Sequence, residues 1–596
     1  MSEHPRPPHH LDFVDLGRKV GGIAGETVFQ SARRNGVRIV GACGGRGTCG
    51  TCMVRIAGGG IEHHPDEDGS HGRSWLRACR ITPRTDCAVE IAPRSLAAVV
   101  RAETEGEHGE CLAVDARIVA VDVQVPPATL ADPTGDTERM ARALDRPVDT
   151  IELTAARQLP ELLRRHDGAV RVRLRGDSII GFSAVNRPLL GLAVDLGTTN
   201  AAAFLLDLES GRRLAGIGIE NPQVAWGADV ISRINHAIRA PAGGEELRLA
   251  ILGGLNALAH DLCHAVGADR ADIIDAAICG NTAMHHLLAG LPVHQLGRAP
   301  FVAAVSGAME VGAAELGLDI CPGARVHLVA NVGGFVGGDH VTALLATESR
   351  WSDGTSLVMD IGTNTEISLI HDGVILSASS PSGPALEGGH ISCGMRAAEG
   401  AIERVAVVDG RIVTGTIGDK PAIGLCGSGV LDAVASLLGT GMVDRRGRLS
   451  AAHADVISND GQLAARLTPG VVLTQEDIRA VQLAKAAIRT ATDLLLDRAG
   501  LAADDIRHFI IAGAFGQYID IASGIAIGLL PALPPERFEQ VGNAAGLGVR
   551  RILLSRADMR RSVELAARCQ YVDMSGSKEF QKKFMSNIAL TNGETS

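Results

Sequence analysis

The sequence predicts a multidomain α/β protein, and three observations carry that expectation. A chain of 596 residues is too long for one hydrophobic core, so three or four domains are expected. A tight cysteine run occupies residues 41–52 near one end. A glycine-turned strand pair then recurs within the remainder, starting at Leu192 and again at Leu357. Composition agrees, since 46% apolar and 21% charged residues are what a folded chain carries. Only 3% are aromatic while 72 are glycine, which suits close α/β packing and ligand loops made of backbone.

The first unit, residues 1–94, is built around Gly-Ala-Cys43-Gly-Gly-Arg-Gly-Thr-Cys49-Gly-Thr-Cys52, with Cys79 following in Leu-Arg-Ala-Cys. Four thiolates are what a [2Fe–2S] cluster requires, and soft sulfur donors select iron–sulfur or zinc over hard cations. A structural zinc site would bring two Cys-x-x-Cys knuckles, whereas only Cys49 and Cys52 form one. Cys43, Cys49, Cys52 and Cys79 are therefore expected to hold a cluster. The five residues between Cys43 and Cys49 depart from the plant-type spacing. They resemble the adrenodoxin-like branch of [2Fe–2S] ferredoxins. A short amphipathic helix from Glu26, ended by Asn35-Gly36, and strand-like runs at 38–40, 53–56 and 87–91 fit the β-grasp domain which that resemblance implies. Cys87 is surplus and reads as a strand cysteine, and His4, His9 and His10 as a frayed polar terminus.

Residues 95–111 are acidic and weakly periodic and read as a linker, a tether that would let the cluster unit swing. Residues 112–187 form a small α/β middle unit: a strand from Ala113, helices at 136–144 and 155–165, and Val170-Arg-Val-Arg-Leu-Arg, which alternates as an exposed edge strand would. No ligand-type cluster occurs in it, so its expected role is organisation or docking.

Residues 188–575 carry the repeat. Leu192-Ala-Val-Asp195-Leu-Gly197-Thr198-Thr199-Asn is matched by Leu357-Val-Met-Asp360-Ile-Gly362-Thr363-Asn364-Thr, each followed by an apolar strand ending at Asp207 or Asp372. Gly197 and Gly362 turn hairpins tight enough for amides to face a phosphate, with Thr198, Thr199, Thr363 and Asn364 adding donors. Asp195 and Asp360, at strand ends, are suited to Mg2+ held directly or through water. Two copies imply two similar lobes facing across a cleft. A third piece, Arg507-His-Phe-Ile-Ile-Ala-Gly513-Ala-Phe-Gly516, is a buried strand ending in glycines against which an adenine could lie. In that order these pieces resemble the acetate and sugar kinase/Hsp70/actin superfamily, which implies an ATP site between two lobes that open and close. Residues 576–596 are a polar tail with no evident chemistry.

Further segments occur in order, among them Cys279-Gly-Asn-Thr-Ala-Met-His-His, Gly383-Pro-Ala-Leu-Glu-Gly-Gly, Gly394-Met-Arg-Ala-Ala-Glu-Gly, Cys426-Gly-Ser-Gly and Val541-Gly-Asn-Ala-Ala-Gly. With the cluster domain they resemble the reductive activators of corrinoid proteins over roughly residues 12–575. That resemblance implies ATP-dependent, one-electron reduction of Co(II) to Co(I) on the corrinoid protein of a methyltransferase system. It also implies an upstream donor such as a ferredoxin, flavodoxin or reductase, and is compatible with a homodimer. A cluster near about −400 mV faces a harder acceptor, and ~100 mV uphill is about 2.3 kcal/mol for one electron. That lies within ordinary coupling energies of roughly 1–3 kcal/mol between two sites. The hydroxyl-rich segments at 377–383 and 390–395 could reach cobalt, although turn and cap roles explain them as well.

A formal net charge of −11 without a basic block excludes nucleic acid as the main partner. No membrane anchor is read from the sequence, and twelve scattered cysteines fit a reducing, cytoplasmic setting. Cys263, Cys279, Cys321, Cys393 and Cys426 read as core residues, His285-His286 as a packing pair, and His63-His64 as part of a solvated acidic loop. Three rivals remain: a small-molecule kinase with an attached ferredoxin, for which no catalytic base is evident, an activator of a radical dehydratase, and an ATP-gated binding module or chaperone for a corrinoid protein.

Overall fold

The structure is a computed structural model describing residues 9–14, 17–35, 37, 39, 52–63, 75–92, 111–115, 117–227, 229–389, 391–459, 461–513, 515–574 and 577–591. Cys43 and Cys49, most of the linker and His390 lie outside them.

The N-terminal unit is a mixed five-stranded sheet in the order Arg18–Gly22, His9–Phe13, Cys87–Ile91, Met53–Gly58, Leu76–Arg77. The helix Val28–Arg34 buries Val28, Phe29 and Ala32 in its core with Leu11, Phe13, Val54 and Val89, giving the expected β-grasp. His9 and His10 are not frayed. They begin the first strand, because Leu11 and Phe13 need the core face and the period-two alternation carries His9 inward against Gly22.

The unit from 118 to 183 has four strands in the order Ile118–Gln124, Ala169–Arg175, Ser178–Ser183, Thr150–Ile151, covered by helices Asp136–Leu144 and Leu153–Arg165. Ala169–Arg175 is central rather than an edge. Val170, Val172 and Leu174 fill the unit's own core, while the alternate arginines dock it onto the larger domain. Arg173 donates to Asp272 at 3.0 Å and Arg175 to Asp275 at 3.1 Å, and Arg117 reaches Asp275 at 2.6 Å. The Arg–apolar alternation reads as solvent exposure in a sequence, but here both faces are covered.

The remainder is two lobes built on one plan. In the first, Leu190–Leu196, Asn200–Asp207 and Arg213–Glu220 form an antiparallel meander, and Ile273–Gly280 joins Leu190–Leu196 in parallel. In the second, Ser356–Ile361, Thr365–His371 and Val374–Ser380 repeat the meander, and His508–Ala512 takes the parallel place. The sequence repeat is thus a structural one. Helix Gly338–Trp351 packs against both parallel strands and crosses helix Ala544–Leu554 closely; a β-carbon at Gly548 would lie 2.0 Å from the Thr342 carbonyl. Helix Gly243–Val266 has the length and hydropathy of a membrane span, yet Leu247, Ile251, Leu255, Leu258 and Leu262 bury one face of it in the first lobe's core. The C-terminal residues read as a tail form helix Lys578–Asn587 on helix Gln475–Ala499, fixed by Lys583 to Asp497 and by the buried Lys485 to the Ala589 carbonyl.

Candidate functional site

The two hairpin turns meet at the cleft between the lobes. Asp195 and Asp360 end their strands at equivalent points, and both line the cleft with Gly197, Thr198, Thr199, Gly362, Thr363, Asn364 and Gly513. Gly516 does not line it; it starts a short 3-10 turn whose carbonyl accepts from Gln540. The loops touch across the lobes, with Thr199 Oγ1 2.5 Å from Thr363 Oγ1. Asn364 closes the second turn, its carbonyl accepting from Gly362 N at 3.1 Å.

Each loop is braced from beneath. Asn221 Nδ2 donates to the Gly197 carbonyl at 2.8 Å, and the buried Arg233 donates to the Thr198 carbonyl. Asn281 ends strand Ile273–Gly280, caps helix Thr282–Ala289 through Met284 N, and donates to Thr198 Oγ1 at 2.7 Å. Gly513 has φ of +94°, and a β-carbon there would lie 2.4 Å from the Ile361 carbonyl and 2.8 Å from Asp360 Oδ1. Only glycine lets that chain pass so near the carboxylate.

The electrostatics are one-sided. Five carboxylates line the cleft: Asp195, Asp339, Asp360, Glu366 and Glu387. Among the described residues, no Lys, Arg or His lines it with them. Burial pushes Asp195 up to about 6 despite hydrogen bonds from Asn543 and Cys279. Burial and the Asp195 charge push Asp339 to about 7. Burial, with Asp339 and Asp195 beside it, pushes Asp360 to about 8. Glu366, buried and opposite Asp360 in the strand pair, is raised by the same causes while accepting from Ser379 at 3.0 Å. Asn200 Oδ1 lines the cleft buried and without a hydrogen-bond partner. Such a set fits a hydrated divalent cation with phosphates, which would supply the missing positive charge. Among the described residues no three His, Cys, Asp or Glu converge closely enough to ligate an ion directly, so the fit is to an ion held largely through water and phosphate.

Asp339, Glu366, Glu387, Asn281 and Asn543 were not singled out from the sequence. Asn281, Glu387 and Asn543 belong to segments noted only for resemblance, and Asp339 follows the glycine run Gly333-Gly-Phe-Val-Gly-Gly. The candidate partner-facing hydroxyls have structural places: Ser377 is buried and bonded to Ser368 at 2.7 Å, and Ser392 N and Oγ both donate to Asp477. His286 anchors the loop from 299 to 306 as a buried neutral imidazole, Nε2 accepting from the Ala304 and Val305 amides.

At the other end of the chain, Cys52 and Cys79 are buried, unoxidised and 3.3 Å apart at sulfur. That is far beyond a disulfide length of about 2.05 Å. A tetrahedral metal with metal–sulfur bonds near ~2.3 Å sets two of its sulfurs about 3.7 Å apart, so the pair suits a shared metal. None of the ten described cysteines pairs in a disulfide.

Family profiles match nearly all of the chain. Residues 15–84 match the 2Fe-2S iron-sulfur cluster binding domain, 109–187 the RACo linker region, 190–350 the RACo middle region, and 354–596 the C-terminal domain of RACo, the ASKHA domain. The corrinoid activation enzyme RamQ of Eubacterium limosum is 31% identical over 567 residues, covering 91% of this chain and 93% of that protein. The [Co(II) methylated amine-specific corrinoid protein] reductase of Methanosarcina barkeri is 25% identical over 442 residues, covering 67% and 77%. Among solved structures, a reductive activator for corrinoid, iron-sulfur protein superposes with a TM-score of 0.74 at 30% identity, covering 98% of this chain and 99% of that one.

Proposed function

This chain belongs to the RACo family of reductive activators of corrinoid proteins, and on that premise we propose that it returns a partner's inactive Co(II) corrinoid to Co(I), with ATP hydrolysis driving the uphill reduction. The observation that carries the nucleotide half is the cleft: two repeated hairpin loops in contact at Thr199 and Thr363, over the buried carboxylates Asp195, Asp339, Asp360 and Glu366. The loop contact also says what a nucleotide must do. A γ-phosphate that takes the Thr199 and Thr363 hydroxyls has to part this contact, so triphosphate binding and lobe movement are coupled.

The residues divide the work by chemistry. Amides of the two turns and the hydroxyls of Thr198, Thr199 and Thr363 donate to phosphate oxygens, and Asn364 adds an amide. Gly513 leaves room for the nucleoside beside the second loop, with Gly516 shaping the turn beyond it. Asp195 and Asp360 would hold Mg2+, and the ion would supply the positive charge that neutralises phosphate. Hydrolysis needs little covalent chemistry from the protein, so its contribution is position and field. Cys43, Cys49, Cys52 and Cys79 would hold a [2Fe–2S] cluster, which supplies storage for a single electron. The partners proposed with this reading are the corrinoid protein of a methyltransferase system and an upstream ferredoxin, flavodoxin or reductase. A homodimer and a cytoplasmic location complete it, the latter supported by the free thiols.

The ATPase reading is tested by following phosphate. Incubated with Mg-ATP and a corrinoid protein, the holoprotein should release inorganic phosphate, faster with the partner present than without. A phosphorylated small molecule accumulating in place of free phosphate would mark a kinase and overturn it.

A further inference from the structure

Glu387 occupies a position that neither the sequence motifs nor the hydrolysis chemistry above requires. It ends the 3-10 turn Pro384–Glu387, and its carboxylate reaches into the cleft over the second loop, where a β-carbon on Gly362 would lie 3.8 Å from Oε1. Thr363 Oγ1 donates to Glu387 Oε2 at 2.9 Å, and the Thr199 hydroxyl stands behind it, donating to Thr363 Oγ1 at 2.5 Å. Burial pushes the carboxyl up, while the two hydroxyls and Arg396 pull it back toward the ionised form. The hydroxyl protons that a terminal phosphate would use are therefore already spent within the protein, Thr363's on Glu387 and Thr199's on Thr363.

The segment after Glu387 is tightly folded on itself. A β-carbon on Gly394 would lie 2.0 Å from the Gly388 carbonyl, and Met395 N donates to the Leu425 carbonyl at 2.8 Å. Two residues beyond Gly394, Arg396 crosses to the other lobe and donates to Glu220 Oε1 at 2.8 Å. Glu220 in turn pairs with Asn200, one residue past Thr199, in the first lobe's meander. One short segment thus links the phosphate-facing hydroxyls to a bond between the lobes.

We propose that Glu387 is a specificity-determining residue that stands in for the terminal phosphate: it accepts the Thr363 hydroxyl proton, with Thr199 donating to Thr363 behind it, when the site is empty or holds ADP, and is displaced by ATP. The proposal rests on the ATP reading above. A γ-phosphate offers only acceptors and negative charge, so it competes with the carboxylate for the Thr363 proton and repels it. ADP has no group at that point and leaves the arrangement alone. Displacement then carries the 388–396 segment and its Arg396–Glu220 bond with it, so that only the triphosphate moves the lobes.

The test is isothermal titration of the holoprotein with Mg-AMPPNP, a non-hydrolysable triphosphate, and with Mg-ADP. In Glu387→Gln the amide no longer repels phosphate, and it can donate to it. Affinity for Mg-AMPPNP should then rise about tenfold, less than the full worth of one hydrogen bond to a charged group, with Mg-ADP affinity changed less than about twofold. Glu387→Asp, which keeps the charge but withdraws it by one methylene, should shift the ratio the same way by less. Melting without nucleotide checks that both variants fold. If the wild-type protein binds neither nucleotide, the ATP reading itself fails. If it binds both and neither variant changes the ratio, or if Glu387→Gln loses hydrolysis at unchanged AMPPNP affinity, Glu387 does not discriminate by displacement and this inference is overturned.

Discussion

Gly513 offers a perturbation whose size can be worked from the structure. A β-carbon there would sit 2.4 Å from the Ile361 carbonyl oxygen and 2.8 Å from Asp360 Oδ1, at a backbone φ of +94°. Bringing those contacts to about 3.4 Å, ordinary van der Waals distance, needs shifts of roughly 1.0 Å and 0.6 Å. The Ile361 carbonyl cannot give much, because its strand is paired on both sides, to Thr365–His371 and to His508–Ala512. The Asp360 carboxylate and the 513–516 turn must move instead. Positive φ costs an alanine about 1–2 kcal/mol, and forced contacts in a packed region about 1–3 kcal/mol. Gly513→Ala should therefore carry about 2–5 kcal/mol of strain, concentrated at the nucleotide site. Titration with Mg-AMPPNP should show affinity lost by about 10- to 100-fold, with the absorption of the iron–sulfur domain unchanged. Gly362→Ala is the internal control. Its β-carbon would meet only Asn364 O at 3.4 Å and Glu387 Oε1 at 3.8 Å, so the fold should accept it. Gly197→Ala falls between, with Asn200 O at 2.7 Å. A Gly513→Ala protein that binds nucleotide as tightly as the Gly362→Ala protein would refute the reasoning.

Other perturbations separate the parts of the molecule. Cys79→Ser should abolish the visible absorption and the reduced-state EPR signal of the cluster while leaving Mg-AMPPNP binding intact, as read by spectroscopy and titration of one preparation. Asp272→Ala strands the buried Arg173 and takes a partner from Arg187. Removing one member of a buried pair costs about 3–5 kcal/mol, so the melting temperature should fall by several degrees, whereas Asp319→Ala, at the exposed pair with Arg270, should leave it near wild type. Without Mg2+ or nucleotide, Asp195, Asp339 and Asp360 titrate near 6, 7 and 8. Their folded values lie above the ordinary 3.8, so the unfolded chain ionises first, and the protein should lose stability as pH rises from about 4 through 8. Mg-ADP should restore the melting temperature more at pH 8 than at pH 6, and equal gains at both would contradict the carboxylate argument.

Much of this architecture is legible in the sequence because it repeats. Asp-x-Gly-Thr between two apolar strands predicts a hairpin turn, and finding it twice predicts facing lobes, which the two matched meanders are. Ala169–Arg175 misleads because alternation reports two different faces without saying what covers the second. Arg173 and Arg175 look solvated until Asp272 and Asp275, about a hundred residues away, are folded against that face. His9 is misread for a related reason: a terminus rich in His and Pro gives no local sign that a place in the sheet beside Arg18–Gly22 awaits it. The acidic wall of the cleft is also hard to read, since Asp339, Glu366 and Glu387 come from a helix start, a strand and a turn with no shared spacing. What assembles them is the lobe geometry, and what marks them is their shared burial at one cleft.

The central claim is that nucleotide gates an electron otherwise unable to reach cobalt. It is tested most directly in a single turnover under argon, mixing the dithionite-reduced, desalted holoprotein with a Co(II) corrinoid protein and recording the Co(I) absorption with and without Mg-ATP. The account predicts Co(I) formation, up to one per cluster electron, with Mg-ATP and little or none with Mg-ADP or no nucleotide. Equal Co(I) yields and rates in all three would contradict it.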